Sequence, residues 1–110
     1  EVNRLTEKKM MYEKSQIEEF DEVLKKIIYN GKGIEINTAG LRYGLNATNP
    51  SAEIVLRYRE LGGEIITIGS DAHYSRDIGS GFDIAYDMLK SCNFKYYNIF
   101  RKRKPEFIQL

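Results

Sequence analysis

Apolar residues recur at three- and four-residue steps through the early part of the chain. Ile17, Phe20, Val23, Leu24, Ile27 and Ile28 fall on one helical face, with Glu and Lys between them. That spacing predicts an amphipathic helix. Ser15 with Glu18 three residues on has the pattern of a capping box at its start, and Asn30-Gly31 fit its stop. Ahead of it, residues 1–14 form a charged segment with Leu5, Met10 and Met11 as its main apolar positions and no periodicity to define an element. Residues 15–110 are expected to make one domain.

The period then changes. Gly33-Ile34-Glu35-Ile36-Asn37 alternates and predicts a short strand with Ile34 and Ile36 facing one layer. Thr38 to Thr48, with Gly40, Gly44 and two Asn, reads as loop. A helix is expected from Asn49-Pro50-Ser51, with Asn49 as cap and Pro50 in the first turn. It runs to Leu61 with Ile54, Val55, Tyr58 and Leu61 inward, and Gly62-Gly63 end it. Glu64 to Gly69 predicts a second strand whose β-branched residues suit burial on both faces, as in a parallel sheet. After a loop from Ser70 to Ser80, a helix over roughly Phe82 to Cys92 places Phe82, Ala85, Leu89 and Cys92 on one stripe. Lys95 to Phe100 reads as a third strand, and Phe107 to Leu110 as a short fourth after the basic turn Arg101 to Pro105.

Helix, strand, helix, strand, helix, strand is the rhythm of crossover units on a parallel sheet, so the class is α/β with about three parallel strands. A small open sheet and an arc of a barrel both fit, and periodicity does not separate them. In either, chemistry is expected at the carboxyl ends of the strands: Glu35-Ile36-Asn37, Ser70-Asp71-Ala72-His73 and the region after Phe100.

Composition narrows the function classes. In 110 residues the net charge is +1, so no global field recruits nucleic acid or an anionic membrane. No apolar run reaches the length of a membrane span, and the polar first ten residues argue against a signal peptide. The lone Cys92 excludes an internal disulfide or a multi-cysteine zinc site and fits a reducing compartment, so a cytoplasmic location is expected. Arg101-Lys102-Arg103-Lys104 reads as a solvated turn, Tyr96-Tyr97 as strand packing, and neither as a nucleic-acid surface.

Asp71-Ala72-His73 is the sharpest local feature. In an extended segment, two-residue spacing sends a carboxylate and an imidazole to the same side, where both are donors for a divalent metal and the Asp can orient a metal-bound water. The plainer reading has Asp71 bonding loop amides and His73 on the rim. His73 is also the only histidine, so further ligands would have to be carboxylates: Asp77, Glu35 and Asp83 are nearby, each with an ordinary role as cap, strand-end polar group or first-turn acid. A metal centre made by this chain alone is therefore expected to be incomplete. Arg42, in the glycine-containing loop after the first strand, has the guanidinium geometry to pair with a phosphate, and Asn37 sits where it contacts a substrate or stabilises the turn.

Gly33-Ile34-Glu35-Ile36-Asn37-Thr38-Ala39-Gly40-Leu41-Arg42, then Arg57 to Gly63, then Ile66-Thr67-Ile68-Gly69-Ser70-Asp71-Ala72-His73 closely resemble the C-terminal region of histidinol-phosphatases in the PHP (polymerase and histidinol phosphatase) family. The resemblance covers roughly Gly31 to Leu110, including the Arg103-Lys104-Pro105 turn. It implies the C-terminal part of a distorted (β/α)7 TIM-like barrel with a multinuclear metal centre of zinc, iron or manganese. It also implies hydrolysis of L-histidinol phosphate to L-histidinol and phosphate, in histidine biosynthesis. By the same resemblance Asp71 and His73 are the last metal ligands and Arg42 contacts the phosphate; Asp71 and His73 are thus the expected catalytic residues, and Arg42 and Asn37 the expected substrate-binding ones. The family's other ligands, mostly histidines including an early His-x-His, have no counterpart here. The chain so read is a C-terminal portion, inactive alone, with exposed sheet edges that invite self-association. The competing readings are another PHP phosphoesterase, such as one joined to a DNA polymerase, and a non-catalytic interaction module.

Overall fold

The computed structural model describes residue 16 and residues 18–110, so the polar segment 1–14, the Ser15 cap and Ile17 lie outside the described residues. The first helix, α1, covers residues 18–29 in its described part. It is followed by strand β1 (Ile34–Asn37), a one-turn helix α2 (Ala39–Arg42), helix α3 (Ala52–Glu60), strand β2 (Ile66–Gly69), a 3-10 turn (Ser75–Asp77), helix α4 (Phe82–Ser91), and strands β3 (Tyr96–Arg101) and β4 (Lys104–Gln109).

Helices α1, α3 and α4 stop by one device. At the end of each, a residue with positive φ (Gly31 at 67°, Gly62 at 101°, Asn93 at 70°) reverses the chain. The two amides that follow then close on the last carbonyls: Gly31 N to Ile28 O and Lys32 N to Ile27 O, Gly62 N to Arg59 O and Gly63 N to Tyr58 O, Asn93 N to Lys90 O and Phe94 N to Leu89 O. These are Schellman closures, which satisfy carbonyls the helix leaves unpaired. Gly63 has a second reason to lack a side chain, because a Cβ there would run into the Tyr58 ring.

One buried cluster unites the helices with the first sheet: Leu24 of α1, Ile36 of β1, Val55 and Tyr58 of α3, Ile66 of β2, Ala85 and Leu89 of α4, with Cys92 and Phe94 beyond it. The stripes expected for α3 and α4 are those that pack. The stripe on α1 is narrower than its periodicity implies: Leu24 is buried, but Phe20 and Val23 are 52% and 56% exposed. The other tether of α1 is polar. Asp21 accepts from Arg57 Nε at 2.8 Å and Nη2 at 2.6 Å, a two-point bond to α3. The Tyr58 hydroxyl donates to Ile65 O at 2.8 Å, and burial raises its pKa, keeping the proton that bond needs.

Pairing of β1 with β2 is parallel, Ile34 opposite Ile66 and Asn37 opposite Gly69, as the β-branched run suggests. The third strand differs from expectation. β3 pairs antiparallel with β4, Tyr96 opposite Gln109 and Arg101 opposite Lys104. The described strands thus form two separate two-stranded sheets, which overturns both the expectation of three parallel strands and that of a TIM-like (β/α)7 barrel. The reason is local. Lys102 and Arg103 both take positive φ (52° and 65°), the geometry of a two-residue hairpin turn. A chain reversed by so short a turn returns alongside its own strand instead of crossing over.

A buried side chain of β3 hydrogen-bonds the two sheets together. Asn98 of β3, 2% exposed, accepts from Ile66 N at 2.8 Å and donates to Glu106 O at 3.3 Å. Its amide thus occupies the edge of β2 where a further strand would otherwise bond. Asn49 likewise leaves its expected capping role. Its N–H and C=O exchange bonds with Asn37 at 3.0 and 2.8 Å, so α3 begins later, after Ser51.

Two outcomes test this arrangement. Asn98→Ala leaves a buried Ile66 amide without a partner, so urea unfolding should show a loss of about 2 kcal/mol and hydrogen exchange at Ile66 should accelerate. Arg57 holds the Asp21 carboxyl below its usual pKa, chiefly through the direct hydrogen bond. A depressed folded pKa contributes stability that is present above the unfolded value and lost as pH falls through the folded one. Asp21→Asn should therefore flatten the acid limb of the stability–pH curve, below about pH 4, and leave it unchanged near neutrality apart from a constant offset.

Candidate functional site

Because β1 and β2 run parallel in register, their carboxyl ends lie side by side, and the segments leaving them share one corner of the molecule. Thr38 organises that corner. It is fully buried, its N–H donates to Gly69 O at 2.8 Å, and its hydroxyl donates to Ser80 O at 2.6 Å with Gly69 O at 3.3 Å. The end of β1, the end of β2 and the entry to α4 are thereby tied to one side chain. Asn37 next to it accepts from Ala39 N at 2.8 Å, which turns the chain into α2. The region expected as continuous loop therefore contains a helical turn, and that turn places Arg42.

Arg42 reaches back across the strand ends. Its Nη1 donates to Ser70 O at 3.1 Å and its Nη2 to Asp71 O at 3.3 Å. Its Nε lies 3.8 Å from Asp77 Oδ2, and its guanidinium sits 5.1 Å from the Tyr43 ring centroid. The side chains of Arg42 and Asp77 are 16% and 19% exposed. A guanidinium carries five N–H donors, so two carbonyl contacts leave part of the fork for another acceptor. Gly69 leaves room for the Glu35 carboxylate of β1, with which a Cβ there would collide.

Of the residues singled out from the sequence, Asn37, Arg42 and Asp71 come together here, joined by the Arg42 bond to Asp71 O. The projection argued for Asp71 and His73 rests on extended backbone, and the extended segment ends at Gly69. Asp71 has φ of +49° and turns through the left-handed region. His73 is exposed, with no hydrogen bond or ion pair among the described residues. Asp83 lies in the first turn of α4, the ordinary position for an acid. Thr38, Ser80 and the Arg42–Asp77 pair were not visible as a site. A lone Thr after a strand carries no signal until its burial is known.

Among the described residues no three of His, Cys, Asp and Glu are grouped to hold a metal ion. A hydrolytic metal centre needs about three protein ligands. Among the described residues the donors do not complete one, so the expectation that this chain by itself is metal-binding is corrected. Among the described residues, no helix is long and apolar enough to cross a membrane.

An α/β unit with polar side chains gathered at the ends of two parallel strands belongs to the broad class that places chemistry there. Comparison with known proteins narrows this. The chain is 42% identical over 83 residues to a probable histidinol-phosphatase of Thermotoga maritima, covering 76% of this chain and 35% of the relative. It is 47% identical over 75 residues to a probable histidinol-phosphatase of Clostridium acetobutylicum, covering 68% and 29%. A probable phosphatase of Photobacterium profundum is 31% identical over 91 residues. No family model matches the chain. The chain is a homologue of the histidinol-phosphatases of the PHP family, and it spans about a third of the length of the curated relatives it matches.

Thr38→Val keeps the shape but leaves Ser80 O without its buried donor. Stability should fall by about 1–3 kcal/mol, and hydrogen exchange across residues 70–80 should quicken before the rest of the chain responds.

Proposed function

We propose that this chain forms part of a phosphoesterase acting on a small phosphorylated substrate, L-histidinol phosphate, and releasing L-histidinol and phosphate. The observation that carries the proposal is the Arg42 guanidinium, held at the strand ends by two carbonyls and an aromatic ring with donors to spare. Homology to probable histidinol-phosphatases supports the same reading and favours it over a polymerase-associated phosphoesterase or a non-catalytic module.

In this proposal Arg42 binds the phosphoryl group, and its tethers hold it in place before substrate arrives. Asn37 shapes the turn that presents Arg42 and is proposed as a second substrate contact. Asp71 and His73 act as donors toward a divalent ion, zinc, iron or manganese, with the remaining ligands supplied from outside these residues. Such an ion would polarise the phosphoryl oxygens. The chain by itself is proposed to be inactive, to reside in the cytoplasm, and to self-associate through the open edges of its short sheets; neither nucleic acid nor membrane is a proposed partner.

The test is hydrolysis by a polypeptide of the relatives' full length that carries this chain, followed as phosphate release from L-histidinol phosphate and as nucleotide release from single-stranded DNA. Release from the first and not the second is expected, and the reverse would end the proposal. Arg42→Ala should raise KM about 10- to 100-fold, the worth of a charge-assisted phosphate contact, with Arg42→Lys in between. Unchanged kinetics in both variants would remove Arg42 from the site.

A further inference from the structure

Two ion pairs between an arginine and an aspartate stand in contrast. Asp21 and Arg57 close to 2.6 Å although the arginine side chain is 41% exposed. Arg42 and Asp77 are the more enclosed pair, at 16% and 19%, yet remain 3.8 Å apart with no hydrogen bond between them. Enclosure strengthens the attraction, so the more enclosed pair has the greater incentive to close. It does not close because Arg42 is already held by Ser70 O, Asp71 O and the Tyr43 ring, while Asp77 is fixed in the 3-10 turn by its own N–H to Tyr74 O at 3.0 Å. Among the described residues no hydrogen bond closes on the Asp77 carboxylate. A fixed positive group and a fixed negative group thus lie within a few ångströms of each other at the strand ends, each with hydrogen-bonding capacity unspent.

We infer that Arg42 and Asp77 form a dipolar recognition site for a phosphomonoester that carries an ammonium group close to its phosphate. The inference rests on the phosphoesterase reading and deepens it by naming what selects the substrate. A phosphoryl oxygen takes the guanidinium, and the ammonium takes the carboxylate. The loose pair is replaced by two charge-assisted contacts with no charge left unmatched. A phosphate ester without the cation brings its negative charge toward Asp77 and is repelled, so Asp77 acts as a specificity residue by excluding such esters as well as by attracting zwitterionic ones. L-histidinol phosphate has the required chemistry, with its ammonium on the carbon next to the phosphate-bearing methylene.

The experiment uses the 110-residue chain and needs no turnover. Amide resonances of Ser70, Asp71 and Asp77 are followed by NMR during titration with O-phosphoethanolamine, ethyl phosphate and N-acetyl-phosphoethanolamine. The expected result is roughly fivefold tighter binding of O-phosphoethanolamine than of the other two, the worth of one partly exposed ion pair. Asp77→Asn should abolish the preference by weakening the zwitterion and strengthening ethyl phosphate. Equal affinity for all three esters on the parent chain, a preference that survives in Asp77→Asn, or no binding at all would overturn the inference. If Asp77→Asn fails to fold by circular dichroism, the N-acetyl comparison on the parent chain decides it. Phosphate release from L-histidinol phosphate by the relative-length polypeptide is scored separately. Release without any preference for the ammonium sinks only the dipolar site, whereas no release sinks the phosphoesterase reading beneath it.

Discussion

A hydroxyl removed from water must find its partners inside the protein, and the Thr38 hydroxyl finds them on the carbonyls of Ser80 and Gly69. These bonds join three segments far apart in the chain at one point. The Thr38 N–H to Gly69 O bond continues the parallel ladder past the end of β1, so the junction is fixed by main chain and side chain together. The placement of Arg42, one helical turn further on, depends on that junction. If the strand ends separated, the carbonyls of Ser70 and Asp71 that hold the guanidinium would move with β2 and leave Arg42 behind.

The same corner explains why the Asp-x-His signature alone was a weak guide to geometry. Two-residue spacing sends side chains to one side only while the backbone stays extended. Beyond Gly69 the chain leaves the strand, and Asp71 adopts positive φ while its carbonyl is held by Arg42. His73, among the most recognisable residues in the sequence, is thus exposed and without a hydrogen bond among the described residues, whereas Thr38, unremarkable as a letter, ties three segments together. Among the described residues the acidic and imidazole side chains do not gather into a metal-binding group.

Asn98 plays at the other side of β2 a part comparable to that of Thr38. A parallel sheet grows by main-chain bonds along each strand edge, yet here the Ile66 N–H is met by a side-chain amide from a hairpin. The hairpin can dock without joining the ladder, which is why two short sheets stand where a single parallel one was expected. The turn that makes the hairpin, Lys102-Arg103, lacks the Asn-Gly or Asp-Gly pair that announces such turns, so the letters marked a basic turn between strands without fixing its type or the register of the pairing.

What could be read without coordinates was whatever depends on near neighbours in the chain. The stripes of α3 and α4, the stops at Gly31 and at Gly62-Gly63, and the parallel character of Ile66–Gly69 all follow from side-chain period and from the backbone freedom of glycine. The exposed Phe20 and Val23 mark the limit of that logic: period shows which residues share a face, and only a packed neighbour decides how much of the face is covered. The antiparallel partner of β3, the bonding of Asn98 and Thr38, and the approach of Asp77 to Arg42 belong to the tertiary structure alone. Each joins groups whose meeting is set by the balance of burial against hydrogen bonding over the whole chain, a sum that no local window of sequence contains.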